Sequence, residues 1–176
     1  MLVHEYEFPI ESERLYYRPI VKEDTKPWEA FFIGNDQLHF VGISNPKSPA
    51  EEAVIWIDRQ MKRYEETGIG MLAAIEKKTG TLMGNVGIIL REKVLGEDFF
   101  EIGYGVIPSY WNKGYASEMA IRLREYFEAQ KLDERVVSII SIENIGSQRV
   151  AEKNGMKRTV AFDFHGSEAY LYRKDL

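Results

Sequence analysis

The sequence predicts a mixed α+β fold of about seven strands, mostly antiparallel, with about four helices. Three observations predict it. Segments with the two-residue alternation of strands are interleaved with segments whose apolar residues recur every three to four positions. Three strand-like runs, residues 69–76, 81–91 and 99–107, follow one another across short breaks and read as antiparallel neighbours. A whole helical segment separates 99–107 from the run 135–142, so a right-handed crossover makes that central pair parallel. The resulting order is strand, two helices, three strands, helix, strand, helix, two strands, as in an α+β domain.

Residues 14–20 form the first strand, ended by Pro19. Residues 22–33 start with Glu23 and Asp24, carry Trp28, Phe31 and Phe32, and stop at Gly34, which predicts a short helix. Residues 34–49 read as a loop, yet Leu38, Phe40, Val41 and Ile43 give it apolar side chains to pack. Ser48-Pro49-Ala50-Glu51 is a capping box with Pro at the first helical position. Val54, Ile57, Met61 and Tyr64 continue at helical spacing until Gly68. Lys78-Thr79-Gly80 turns the chain between the strands 69–76 and 81–91.

The strand 99–107 places Phe100, Ile102, Tyr104 and Val106 on one face and Phe99, Glu101, Gly103, Gly105 and Ile107 on the other. Two glycines on one face of a strand mark a place where a ligand or another backbone comes close. The helix beginning near Gly114 carries the buried stripe Ala116, Met119, Ala120, Leu123 and Phe127 and runs to about Lys131. Residues 135–142 are β-branched and almost continuously apolar, as in a strand covered on both faces. A short helix spans 144–154 and stops at Gly155. A hairpin of 157–165 and 168–173 closes the chain.

At 176 residues the chain fits one domain, 1–176. With 44% hydrophobic and 29% charged residues it has the composition of a globular protein. A net charge of −5 argues against a nucleic-acid partner, which calls for a basic face. The absence of cysteine excludes disulfides, thiolate metal sites and a cysteine nucleophile. His4, His39 and His165 match no metal-ligand spacing, so no metal is expected. The first residues lack a basic segment followed by an apolar run, and no run is long enough to span a membrane. A cytoplasmic location without membrane contact is the expectation.

Two motifs bear chemistry. Trp111-Asn112-Lys113-Gly114-Tyr115-Ala116 opens a helix, whose N-terminal amides and dipole suit a phosphate, with Lys113 adding charge. By itself it is also an ordinary glycine loop. Asn144-Ile145-Gly146-Ser147-Gln148-Arg149 begins the next helix; Asn144 alone reads as a helix cap and Ser147 as a local backbone partner. Glu101 alone reads as a strand charge awaiting an Arg or Lys. Asp163, His165 and Glu168 flank the last hairpin.

Together these pieces resemble the GNAT superfamily of acyl-CoA-dependent N-acetyltransferases, in particular its RimJ/RimL-like branch. The resemblance lies in E-S-E-R-L-Y-Y-R-P-I-V-K-E-D, L-M-G-N-V-G-I, E-I-G-Y-G-V-I-P-S-Y-W-N-K-G-Y-A-S-E and E-N-I-G-S-Q-R-V-A-E-K-N-G-M, in that order. It implies a sheet whose parallel pair splays apart around acetyl-CoA as co-substrate. The pantetheine arm would lie on backbone groups of Gly105, Val106 and Ile107 and touch Asn144. Residues Trp111, Asn112, Lys113, Gly114, Tyr115 and Ala116 would hold the pyrophosphate. The amine would attack the thioester directly, with Glu101 as general base. Many members carry a tyrosine acid where this chain has Ala151, which leaves Ser147 to serve or orient the leaving group. The acceptor would be a protein N-terminus or a small amine such as a polyamine, aminoglycoside or amino acid, contacted from residues 34–49, the second helix and the last hairpin. A homodimer is compatible with the resemblance. An acyl-CoA-binding module with weak catalysis is the competing reading of the same scaffold.

Overall fold

The computed structural model describes residues 4–176. Among them eight strands form one open sheet, ordered β1-β2-β3-β4-β5-β6-β8-β7. The strands are β1 (Ile10–Glu11), β2 (Leu15–Pro19), β3 (Met71–Glu76), β4 (Leu82–Val94), β5 (Glu97–Val106), β6 (Arg135–Ser141), β7 (Lys157–Phe164) and β8 (Ser167–Asp175). The helices are α1 (Thr25–Trp28), α2 (Pro49–Thr67), α3 (Tyr115–Gln130) and α4 (Ile145–Lys153). Only β5 and β6 are parallel neighbours; every other pairing is antiparallel.

The strand beyond the expected seven is β1. It has two residues, with Ile10 opposite Tyr17, too short to show any alternation. The helix expected over 22–33 is also different. It consists of a 3-10 turn at Lys22–Asp24, the single α-turn α1, and a second 3-10 turn at Glu29–Phe31. Pro27 contributes no N–H to this stretch. Trp28 and Phe31 stack 4.6 Å apart and hold the tightened backbone against the sheet. In α2 the capping box forms as expected: the Ser48 hydroxyl accepts from the Glu51 amide, and the Glu51 carboxylate accepts from the Ser48 amide. The buried stripe of α2 is turned by about one residue from the expected one. Ala53, Ile57 and Gln60 are buried, whereas Val54 is 48% exposed. Gln60 is tolerated inside because its amide reaches the Trp56 carbonyl and receives Arg63.

Helices cover both faces of the sheet. Against one face pack Met119, Ala120, Leu123 and Phe127 of α3, all fully buried with Val86, Ile88 and Ile102. Each fully buried Leu, Met or Phe contributes about 1.5–3 kcal/mol. Against the other face pack Trp28, Phe31, Ala53 and Ile57, over Met71, Ala73 and Ile89. This double covering is why Leu82–Ile89 of β4 is an unbroken buried run. β5 and β6 share a single register pair, Glu101 opposite Val137. Past it, the Ser138 hydroxyl still donates to the Ile102 carbonyl at 2.8 Å. Beyond that point a groove begins between the two strands.

Candidate active site

The groove encloses about 490 Å³. Tyr104, Gly105 and Val106 form one wall, Asn144, Gly146, Ser147 and Val150 the other, and the start of α3 closes one end. Phe31, Asn35, Gln37, Phe40 and Val41 form the opposite mouth.

Strand geometry decides which backbone groups face this space. The Ile107 amide donates to the Met83 carbonyl of β4, while the Ile102 carbonyl receives Ser138 of β6. Backbone groups alternate sides along a strand, so odd residues here bond toward β4 and even residues face the splay. The Val106 carbonyl accepts from the Trp111 indole at 2.7 Å. The Val106 amide and the backbone of Tyr104 therefore face the groove. The Ile107 amide is committed elsewhere, and Ile107 does not line the groove.

The loop into α3 is a backbone cradle. Asn112 and Gly114 both have left-handed conformations, with φ +61° and +80°. Such turns bring successive N–H groups to one side, at a helix N-terminus that already favours an anion. Trp111, Asn112, Gly114, Tyr115 and Ala116 line the groove. Lys113 does not; its ammonium donates to the Ser109 carbonyl at 3.2 Å and its carbonyl receives Arg14. Gly105 keeps the wall low, since a Cβ there would stand 3.3 Å from Phe31 and 3.4 Å from the Asn85 amide. The cradle, the open strand edge and the length of the groove fit a long ligand with a phosphate end, as acetyl-CoA is.

On the far wall Asn144 caps α4, accepting from the Ser147 amide at 3.1 Å, and also lines the groove. The Tyr104 hydroxyl donates to the Ser147 carbonyl at 2.8 Å and ties the two walls together. Burial, and next the charge of Glu101, push the Tyr104 phenol up, so it stays a donor. Ala151 is fully buried and offers no proton.

Glu101 is 6% exposed and lies outside the groove lining, on the β5 face shared with Gly103 and Gly105. Its Oε2 receives the Arg91 Nε at 2.5 Å, and its Oε1 receives the Ile139 amide at 3.4 Å. The longer contact leaves Oε1 the freer oxygen. Burial and the charges of Arg91 and Arg59 hold the Arg63 guanidinium below its ordinary value, so the surroundings of Glu101 are cationic.

Of the mouth residues, Asn35, Gln37, Phe40 and Val41 fall in the segment 34–49 named above for the acceptor, though no motif singles them out, and Phe31 comes from the stretch before it. Neither α2 nor the hairpin bearing Asp163, His165 and Glu168 lines the groove. Among the described residues no group of three or more His, Asp or Glu could hold a metal ion, and no helix is long and apolar enough to cross a membrane.

Comparison with known proteins bears on the same region. The acetyltransferase (GNAT) domain model matches residues 14–157. YoaA of Bacillus subtilis (strain 168), an uncharacterised N-acetyltransferase, is 32% identical over 155 residues, 86% of this chain and 84% of that protein. A GNAT-family acetyltransferase from Bacillus anthracis has a TM-score of 0.78 at 25% identity, covering 96% of this chain and 98% of that one. RimL, a ribosomal L7/L12 α-N-protein acetyltransferase in complex with coenzyme A, shares the fold at TM-score 0.73 and 13% identity, covering 96% and 98%. A domain model that spans most of the groove's walls, and a relative alike over most of both lengths, lead to one conclusion: the chain belongs to the GNAT family of acetyltransferases, acetyl-CoA-dependent acyltransferases.

Proposed function

We propose that residues 1–176 form one cytoplasmic N-acetyltransferase domain of the RimL-like branch, moving the acetyl group of acetyl-CoA to a primary amine by direct attack in a ternary complex. The observation that carries this reading is the groove, which joins a phosphate-type cradle at α3 to an aromatic mouth past an open strand edge. Asn112, Gly114, Tyr115 and Ala116 hold the pyrophosphate through backbone amides. The Val106 amide and Tyr104 backbone pair with the pantetheine arm, as an added strand would. Asn144 touches it from the other wall.

A primary amine is mostly protonated at neutral pH, with ordinary values near 8 for an α-amine and 10.4 for lysine. Glu101 takes one proton through its freer oxygen, by way of water, and the nitrogen lone pair then attacks the thioester carbonyl. The C–N bond forms, the C–S bond breaks, and the second amine proton leaves as the thiolate is protonated. Ser147 orients that leaving sulfur. No acyl-enzyme is needed, in keeping with a chain that has no cysteine.

The mouth favours one acceptor class. Its side chains are aromatic, aliphatic or amide, with no carboxylate among them. The extra ammonium groups of a polyamine or aminoglycoside would find no partner there. A protein N-terminus, with peptide groups for Asn35 and Gln37 and a side chain for Phe31, Phe40 and Val41, meets complementary chemistry. Calorimetry with acetyl-CoA, followed by thiol release across peptides, polyamines, aminoglycosides and amino acids, tests this. Peptide-selective release supports it. Acetyl-CoA binding without release from any amine identifies a binding module instead.

A further inference from the structure

Of the residues that line the groove, Arg149 and Lys153 alone carry a formal charge, and both are cations in a chain of net charge −5. They belong to one stripe of α4. Gly146, Arg149, Val150 and Lys153 follow at helical spacing, so they share a face, and all of them line the groove. The side-chain hydrogen bonds of α4 and its caps come from Asn144, Gln148, Glu152 and Asn154. Arg149 and Lys153 are exposed and have no such partner, neutral or acidic, among the described residues. The end of α4 is docked on α3, where the Asn154 amide donates to the Ala120 carbonyl at 3.2 Å, one turn past Ala116 of the cradle. Lys153 therefore stands at the cradle end of the groove, with Arg149 about 6 Å back along the helix. The cradle brings no side-chain cation of its own. Lys113 is turned to the Ser109 carbonyl, and Arg14 lies outside the groove lining, paired with Glu118.

We propose that Arg149 and Lys153 bind the ribose 3′-phosphate of coenzyme A, and so set a preference for CoA thioesters over those of dephospho-CoA. The inference rests on the placement of acetyl-CoA in the groove given above. With the pyrophosphate on the backbone amides of the cradle, the remaining phosphate of the same molecule lies one ribose farther on. A phosphate monoester carries a charge of about −1.5 to −2 at pH 7, which two cations match. The guanidinium offers paired N–H donors in the geometry of phosphate oxygens, and the ammonium adds a point charge. The two phosphate groups are thus read by different chemistry. Backbone amides that no substitution removes hold the one, and two replaceable side chains hold the other.

The test uses the full chain and its double variant Arg149→Gln, Lys153→Gln, which keeps a good helix former at both positions. CoA and dephospho-CoA are each titrated into both proteins by calorimetry, with melting temperatures taken alongside. The wild type is expected to bind CoA about 10- to 100-fold more tightly than dephospho-CoA, the range of a charge-assisted hydrogen bond. That preference shrinks as sodium chloride is raised, because both cations are exposed. The double variant melts with the wild type, keeps wild-type affinity for dephospho-CoA, and binds the two ligands within about twofold of each other. A wild type that binds both ligands equally overturns the assignment and leaves the acetyl-transfer reading intact. A double variant that loses affinity for both by the same factor also overturns it, in favour of a contact to the shared pyrophosphate or a structural role. A wild type that binds neither ligand overturns both readings.

Discussion

The Nε of Arg14, just before β2, lies 2.6 Å from Oε2 of Glu118 in the first turn of α3. The other oxygen of Glu118 receives the Ser12 hydroxyl at 2.6 Å and the Arg14 amide at 2.8 Å. The Arg14 guanidinium also donates to the Lys113 carbonyl and covers the Tyr115 ring at 4.0 Å. One carboxylate thus fixes the anion cradle to the far edge of the sheet. It also sits where a helix dipole favours negative charge.

Acid sensitivity follows. Burial alone would raise the Glu118 carboxyl, but hydrogen bonds from Ser12 and Arg14 hold it below its ordinary value of 4.5. A depressed value means the stabilisation is complete above 4.5 and is lost as pH falls through the depressed one. Glu118→Gln is expected to cost about 1–3 kcal/mol at pH 7. That deficit shrinks toward zero in melts taken at progressively lower pH below 4.5. A deficit constant with pH would remove the charge argument.

Glu101→Gln keeps the shape of the side chain and removes its basicity. Turnover of the amine is expected to fall about 10²- to 10⁴-fold. Acetyl-CoA affinity by calorimetry stays near wild type, because Glu101 lies outside the groove lining. Equal losses of binding and turnover would end its assignment as base.

The strand glycines separate into two kinds. A Cβ on Gly84 would sit 2.2 Å from the Gly105 carbonyl, whereas one on Gly103 would meet Ile89 at 3.4 Å and Met71 at 3.5 Å, ordinary contact. Gly84→Ala is expected to destabilise by about 1–3 kcal/mol through overpacking. Gly103→Ala is expected to fold as well as wild type, or to gain about 0.4–1 kcal/mol from the stiffer unfolded chain. Its KM for the amine is expected to stay near wild type, since Gly103 lies outside the groove lining. Denaturant melts and amine kinetics on the two variants check this.

Tyr104→Phe removes the hydroxyl that donates to the Ser147 carbonyl. A loss of about 1 kcal/mol in stability is expected. The α4 wall loosens, and the dissociation constant of acetyl-CoA rises several-fold in titration. A crystal structure of the variant with α4 unmoved and affinity unchanged would contradict it.

Most of the fold was legible in the residue order because its determinants are local. The capping box at Ser48, the alternation of β5 and the stripe Met119–Leu123–Phe127 each act within a few residues, and each forms as read. Two-residue β1 and the broken first helix were not legible. Pairing with β2 makes the one, and aromatic stacking of Trp28 on Phe31 shapes the other.

The sequence alone determined the sheet's helical cover, the parallel crossover and the two motifs that face each other across the splay. These depend on spacing along the chain. Only the tertiary structure decided that Val106 and Tyr104, rather than Ile107, present backbone to the groove, that Lys113 points away, and that Glu101 is tied to Arg91. It also brought Phe31 and Arg14 to the site from elements distant in the chain, which no spacing rule could announce. The physical reason is the same in each case: a strand offers its neighbours alternate sides, and which partner takes each side is settled by packing across the sheet.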